Sequence, residues 1–342
     1  MIRTGLVTGA AQGIGRAIAL RLAKDGLNVA VNDIEANSSE LQKVQQEIEQ
    51  IGRKSISIIA DVSISESVEK MMQEVAQKLG SLDVVVANAG ICNAKLLLDT
   101  TVEDWDRLFA VNMRGVFLCY KEAAKIMIKQ GTGGKIIGAC SNAGYRPTPT
   151  IGAYSATKWG VRGLTQAAAI EWAPYNTTVN AYCPGIIMTS IGDMFCEGLA
   201  KFHGKTKDDV TEDFVKAIPL GRIGDPDDVA SLVSFLASKN SDYITGQSQS
   251  AADAENNYLR VASSLDMYGV ELHKASVKIS NTNNSIYSSI VELYVGVYAI
   301  GISIFQNSVK INTFSWEQIT KISFKRRRFY VQLIKSLVSI YL

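Results

Sequence analysis

Histidine is almost absent: only His203 and His273 occur in 342 residues, far apart. Metal chemistry or a catalytic triad built on histidine is therefore not expected, and no metal site is predicted. The five cysteines (Cys92, Cys119, Cys140, Cys183, Cys196) show no paired short spacing, and none lies beyond residue 196. That scatter argues against a disulfide framework or a zinc site and fits a reducing compartment, so a cytoplasmic location is expected. An excess of either charge is lacking too. The formal net charge of +2 gives no reason to expect a nucleic-acid partner. A long apolar run is missing. The longest, Ile290–Phe305, is 16 residues, interrupted by Glu292 and two glycines, and is short for a membrane span. It reads as two strands and a turn. No apolar signal region precedes the first strand.

What is present is a soluble-type composition, 47% hydrophobic and 20% charged, on a chain long enough for two units. Apolar runs alternate with helical patterns from the start. Strands are expected at Gly5–Thr8, Asn28–Asn32, Ile56–Ala60, Asp83–Ala87, Lys135–Cys140 and Thr178–Tyr182. Helices are expected at Ile14–Lys24, after a Ser39 cap, after a Ser63/Glu66 capping box, at Val102–Gln130, and at Ala153–Ala173 before Pro174. Continuous apolar strands alternating with helices predict a doubly wound parallel α/β sheet. Near Gly246 the pattern changes. A helical stretch around Ala254–Leu265 is followed by alternation at Val291, Leu293, Val295 and Val297, a turn at Ala299–Gly301, and strand candidates Ile302–Phe305, Ser308–Phe314, Ile319–Phe324 and Phe329–Leu333. The second unit should be a small antiparallel β module.

The chemistry-bearing residues cluster at turns of the first unit. Thr8-Gly9-Ala10-Ala11-Gln12-Gly13-Ile14-Gly15 lies between a strand and a helix. Glycines there let a pyrophosphate approach the backbone, and the helix N-terminus offers free N–H groups. Asp33 ends the second strand, 18 residues after Gly15. A carboxylate at that point binds ribose hydroxyls and repels a 2′-phosphate, which favours NAD over NADP; the plain alternative is a strand-end turn residue. Further signals fall at carboxyl ends of strands: Asp61-Val62, Asn88-Ala89-Gly90 and Ser141. Tyr154-Ser155-Ala156-Thr157-Lys158 opens a helix, and its i, i+4 spacing places phenol and ammonium on one face. A cation beside the phenol should lower its proton affinity, so that the pair delivers a proton to a carbonyl oxygen as hydride arrives. Ser141 is placed to hydrogen-bond the same oxygen.

This combination over residues 2–248 resembles the short-chain dehydrogenase/reductase family, and so implies a Rossmann-like fold. The resemblance implies that Asn112 holds a proton-relay water and completes a catalytic set with Ser141, Tyr154 and Lys158. As an alternative, Asn112 is a helix-interior polar residue bonded to a strand. The resemblance also implies that NAD is held by Gly9, Gln12, Gly13, Ile14, Gly15, Asp33, Asp61, Val62, Asn88, Ala89 and Gly90. Tyr154, Lys158, Pro184, Gly185, Ile187 and Thr189 would hold its nicotinamide end. Three stretches, Val161–Gln166, Val179–Ile186 and Ser241–Ser248, resemble one branch, the (S)-acetoin-forming diacetyl reductases or meso-2,3-butanediol dehydrogenases. A small ketone or secondary alcohol is the implied substrate, with Ile191–Phe214, including Met194 and Phe195, as a lid or as ordinary loop packing.

The resemblance breaks after Ser248. Gln249-Ser250-Ala251-Ala252-Asp253 stands where the family continues into one more strand. The expectation is a sheet lacking its last edge strand, a weakened enzyme half, and doubt over the family's homo-oligomer. Tyr258–Ala262, Leu265–His273, Ile311–Trp316 and Lys321–Arg326 resemble part of the FERM domain over about 254–334. That likeness implies an incomplete PH-like lobe with anionic lipid or a receptor tail as partner. His273 reads as a structural member of it, and Lys325-Arg326-Arg327-Arg328 as a lipid contact or a solvated hairpin. The expected organisation is a dehydrogenase domain at 1–248, a junction at 249–253, a helical segment at 254–272, a PH-like part at 273–335 and an unassigned tail at 336–342. Three readings follow: an NAD-dependent ketone reductase, a membrane–cytoskeleton adaptor fragment, or two unrelated coding pieces joined together. The first is preferred because its motifs are all present.

Overall fold

Strand β1 (Thr4–Thr8) is buried at every position, as a strand covered on both faces must be. With β2 (Asn28–Asp33), β3 (Ser55–Ile59), β4 (Val84–Ala87), β5 (Gly134–Ala139) and β6 (Thr177–Cys183) it forms a parallel sheet. The spatial order is β3-β2-β1-β4-β5-β6. This Rossmann-like α/β sheet is seen in a computed structural model that describes residues 2–250 and, in a second unit, seven strands within 272–341.

Side chains alternate between the two faces with the period of two that a strand imposes. Leu6, Ala30, Val85 and Ile136 face α3 (Ser65–Leu79), α5 (Gly115–Gln130) and α6 (Gly152–Trp172). Val7, Val31, Val86 and Ile137 face α1 (Gly13–Lys24), α2 (Ser38–Gln50) and α9 (Pro226–Ala237). Two buried cores thus clamp one sheet. Among the described residues no helix is long and apolar enough to cross a membrane.

The expected loss of the last strand needs correction. A three-residue strand β7 (Ser248–Ser250) pairs in parallel with β6, Ala181 opposite Ser248 and Cys183 opposite Ser250. A ladder needs extended backbone with free N–H and C=O groups, and polar small residues supply that as well as apolar ones. The edge is short, not missing.

Three local expectations also change. The stretch 102–130 is not one regular helix: α4 (Val102–Phe109) passes through a π-helical turn at Ala110–Arg114 into α5. Such a bulge inserts a residue and re-aims the side chains around it. Ser39 lies inside α2, behind Asn37 at the cap position. Ser63 does not cap α3, whose cap position is Ile64; its hydroxyl and N–H are both spent on Asp61.

The chain divides into two compact units, Met1–Ala251 and Ala252–Leu342. In the second, β8 (Leu272–Lys278), β9 (Ile290–Tyr298), β10 (Gly301–Gln306) and β11 (Val309–Ser315) form an antiparallel meander. β12 (Ile319–Lys325), β13 (Arg328–Leu333) and β14 (Leu337–Tyr341) form another, which joins β8 through β14. The expected unassigned tail therefore contains a strand. His273 lies in β8 opposite Val295. The helical segment expected before Leu272, junction residues 251–253, and Arg326 and Arg327 lie outside the described residues.

Candidate active site

Between β1 and β4 the strand order reverses, and the carboxyl ends of the strands part there to leave a crevice. A cleft of about 330 Å³ opens at that point. Its first wall is the turn from β1 into α1. Gly9 and Gly13 have φ of +63° and +54°, a region that side chains avoid. At Gly15 a Cβ would stand 2.0 Å from the Gly9 carbonyl oxygen and 2.6 Å from Asn88 Nδ2. Only glycine permits that closeness. No side chain caps the N-terminus of α1 at Gln12, and its first residues Gly13, Ile14 and Gly15 line the cleft. Gln12, Ile14, Ala89 and Gly90 line the same cleft.

Asp33 lines the cleft from the end of β2. One carboxylate oxygen accepts from the Ala11 N–H (3.1 Å), the other from the Ile34 N–H and Asn37 Nδ2 (both 2.9 Å). A carboxylate has about four acceptor positions, so capacity remains for a ribose hydroxyl. Asp61 and Val62 follow at the end of β3. Burial pushes the Asp61 carboxyl up, but hydrogen bonds from Ser63 and the nearby Arg107 outweigh it and hold the carboxyl below its ordinary value. Val62 packs on α5, where a Cβ at Gly115 would come within 2.9 Å of it.

The other wall comes from β5, α6 and β6. Ser141 follows β5, its hydroxyl accepting from the Ala143 N–H at 3.1 Å. Tyr154 and Lys158 lie one helical turn apart on α6, with the ammonium 5.3 Å from the phenol ring centre. Lys158 is 3% exposed and donates to the Ala139 carbonyl at 2.8 Å. Pro184, Gly185, Ile187 and Thr189 complete the rim. Thr189 caps α7 (Ser190–His203), and its methyl would stand 3.4 Å from a Cβ at Gly13, so the rim approaches the glycine turn.

Two expectations change here. Burial raises the proton affinity of Tyr154 above the usual phenol value, with the Ser141 hydroxyl lowering it in part. Burial also pushes the Lys158 ammonium down. The shift runs opposite to the expected acidification, because loss of water disfavours the charged phenolate. Asn112 does not line the cleft. It is 0% exposed in the π-helical turn, accepts from the Ile91 N–H and donates to the Ile91 carbonyl, both at 2.8 Å. Its side chain fixes the loop after Gly90.

The glycine turn, the acidic strand end and the Ser–Tyr–Lys group thus share one cleft, and comparison with known proteins agrees. The sequence model of a family described as Enoyl-(Acyl carrier protein) reductase matches residues 9–252. A short-chain dehydrogenase/reductase of Armillaria gallica is 52% identical over 245 residues, 72% of this chain and 92% of the relative. This chain belongs to the short-chain dehydrogenase/reductase family. It is an oxidoreductase acting on CH–OH groups. The L-2,3-butanediol dehydrogenase of Corynebacterium glutamicum is 43% identical over 247 residues, 72% of this chain and 96% of that one. Among solved structures, an NAD+-bound xylitol dehydrogenase is 30% identical, with a TM-score of 0.70 over 73% of this chain and 97% of that one. A model of the FERM C-terminal PH-like domain matches residues 288–340, into the stretch expected to match nothing.

The dehydrogenase cleft also holds residues that sequence reasoning passed over: Cys92, Arg107, Ile151, Tyr182 and Ile186. Arg107 approaches Asp61 at 3.7 Å although they are distant in sequence. Cys92 shares the cleft with Tyr154, and burial pushes its thiol up to about 11. Of the expected lid, Ile191, Gly192 and Phe195 reach the cleft, and Phe195 lies tilted against Phe214 of α8 (Lys207–Ala217) at 5.7 Å between ring centres. Met194 does not line it. A small cluster of Cys196, Leu199, Ala200 and Val210 holds α7 and α8 together.

Proposed function

We propose that this dehydrogenase interconverts a small vicinal ketone and its secondary alcohol, of the diacetyl, acetoin and 2,3-butanediol type, with NAD(H). The observation that carries this reading is the convergence of Ser141, Tyr154 and Lys158 in the wall of the cleft that holds the glycine turn and Asp33. Bound NADH would supply the hydride.

The chain's own residues handle the oxygen and the proton. Tyr154, its proton affinity raised by loss of water, presents an O–H to the substrate carbonyl. As negative charge gathers on that oxygen, the Ser141 hydroxyl donates a second hydrogen bond, and the phenol gives up its proton. Lys158, fixed by the Ala139 carbonyl, faces the phenolate that remains and limits its cost. In the oxidative direction the same phenolate takes the alcohol proton.

The glycine turn and the uncapped N-terminus of α1 fit a pyrophosphate, and Asp33 fits an unphosphorylated ribose. Cys92, Ile151, Ile186, Ile191 and Phe195 give the remaining lining a small, apolar character that suits a short ketone. The 43% identity with a butanediol dehydrogenase supports the same substrate class. The five free thiols favour work in a reducing compartment such as the cytoplasm. The adaptor reading ranks below this one, because the glycine turn, Asp33 and the Ser141, Tyr154 and Lys158 group line one cleft.

The test is NADH oxidation by the full chain with diacetyl and acetoin, against long-chain ketones and a 3-ketoacyl thioester. The short ketones should give the higher kcat/KM, with NADH preferred to NADPH. Preference for the thioester overturns the substrate class, and preference for NADPH overturns the role given to Asp33.

A further inference from the structure

Tyr182 stands near the end of β6, 1% exposed, among the apolar side chains of the α1–α9 face. A hydroxyl there is costly unless it is hydrogen-bonded. Among the described residues it donates to the side-chain oxygen of Asn88, at 2.7 Å. The other end of that amide donates to the Thr8 carbonyl at 2.9 Å and to the Gly9 carbonyl at 3.2 Å. The Thr8 hydroxyl in turn accepts from the N–H groups of Asn88 and Ala89, both at 3.0 Å. A chain of hydrogen bonds therefore runs from a phenol on β6, across the end of β4, into the glycine turn on β1.

From this chain we propose that Tyr182 is a positioning residue for cofactor binding, its hydroxyl fixing the Asn88 amide that shapes the glycine turn. The proposal rests on the reading of the cleft as an NAD(H) site. A side-chain amide has an accepting end and a donating end of nearly equal size. Reversed, Asn88 would turn its oxygen toward two carbonyl oxygens, which repel it. The two carbonyls accept only from the amide nitrogen, and the phenol O–H then holds the oxygen end in place. Burial raises the Tyr182 proton affinity well above the ordinary value, so the donor persists throughout the working pH range. The clamp has little slack, since a Cβ at Gly15 would meet both the Gly9 oxygen and Asn88 Nδ2. Loosening it moves the backbone that faces the pyrophosphate, while Lys158 and Ser141 keep their own anchors.

The effect should therefore fall on cofactor affinity and spare turnover. In the full chain, Tyr182→Phe should weaken NADH binding about tenfold, measured by fluorescence titration, as expected for an amide left without its donor. The KM for NADH should rise in parallel, with kcat at saturating NADH within about twofold of the wild type. A cycle with Asn88→Ala gives a second readout. Once Asn88 is truncated, adding Tyr182→Phe should cost nothing further. Unchanged NADH affinity in Tyr182→Phe beside a wild type that binds NADH overturns the proposal alone. So do additive losses in the cycle, or a fall in kcat with affinity intact. A wild type that binds no NADH overturns the cofactor reading, and this proposal with it.

Discussion

Lys158 on α6 donates its ammonium to the carbonyl of Ala139 on β5, at 2.8 Å and 3% exposure. This bond ties the proton-transfer helix to the strand that ends just before Ser141, and it holds a cation out of water. Burial disfavours that charge, as the downward shift of its proton affinity shows. The arrangement favours chemistry over stability.

Replacing the ammonium by an apolar chain of similar length should separate the two. Lys158→Met should fold with a melting temperature within a few degrees of the wild type, since relief of the buried charge offsets the unpaired Ala139 carbonyl. Its kcat should fall about 100-fold or more, in the range lost with a proton-transfer partner. Thermal melts and steady-state rates check this. A strongly destabilised variant would show that Lys158 is chiefly structural.

The proton affinity of Tyr154 sets a different pH profile for each direction. Its value is raised above 10 by burial, so the acid form predominates below that pH. Reduction needs the acid form, and its kcat should be flat from about pH 6 to 9. Oxidation needs the phenolate, and its rate should climb with pH over the same range. Paired pH–rate profiles at saturating cofactor check both slopes. A reductive rate that falls through neutral pH would place the phenol below its ordinary value.

Gly15→Ala should abolish NADH binding. Its Cβ would lie 2.0 Å from the Gly9 oxygen, and that atom is backbone, so the turn itself must move. Isothermal titration with NADH checks this, and binding within about tenfold of wild type would show that the turn is not the pyrophosphate seat.

Thr150 has φ of +70° and is buried, although a β-branched residue rarely adopts that region. Its hydroxyl is buried without a hydrogen-bond partner, and its carbonyl accepts from the Lys95 N–H at 2.8 Å. Thr150→Gly should raise stability by about 1 kcal/mol, because relief of strain exceeds the added backbone freedom. Denaturant unfolding followed by circular dichroism checks the sign. A loss of stability would mean that the threonine's packing outweighs the strain.

The sheet was legible in the sequence because each strand is a short apolar run ended by a turn residue, with helical spacing between runs. The glycine turn and the Tyr154–Lys158 pair are local patterns too, each weak alone and legible because they occur together and in order. What escaped depends on contacts distant in sequence. Tyr182, within a buried run, reads as core until Asn88 is seen beside it. Arg107 on α4 meets Asp61, just past β3, only through the tertiary fold. The raised proton affinity of Tyr154 comes from lost water, which spacing does not reveal. β7 escapes because Ser248-Gln249-Ser250 has none of the apolar character that marks a strand in sequence.

Tyr154 as the proton donor is the centre of the proposed chemistry. Tyr154→Phe in the full chain removes one hydroxyl and leaves the glycine turn, Asp33 and Lys158 in place. With diacetyl and saturating NADH, kcat should fall by about 10²–10⁴, while the dissociation constant for NADH stays within about threefold of wild type. Turnover retained at near wild-type rate, with NADH still bound, would contradict it.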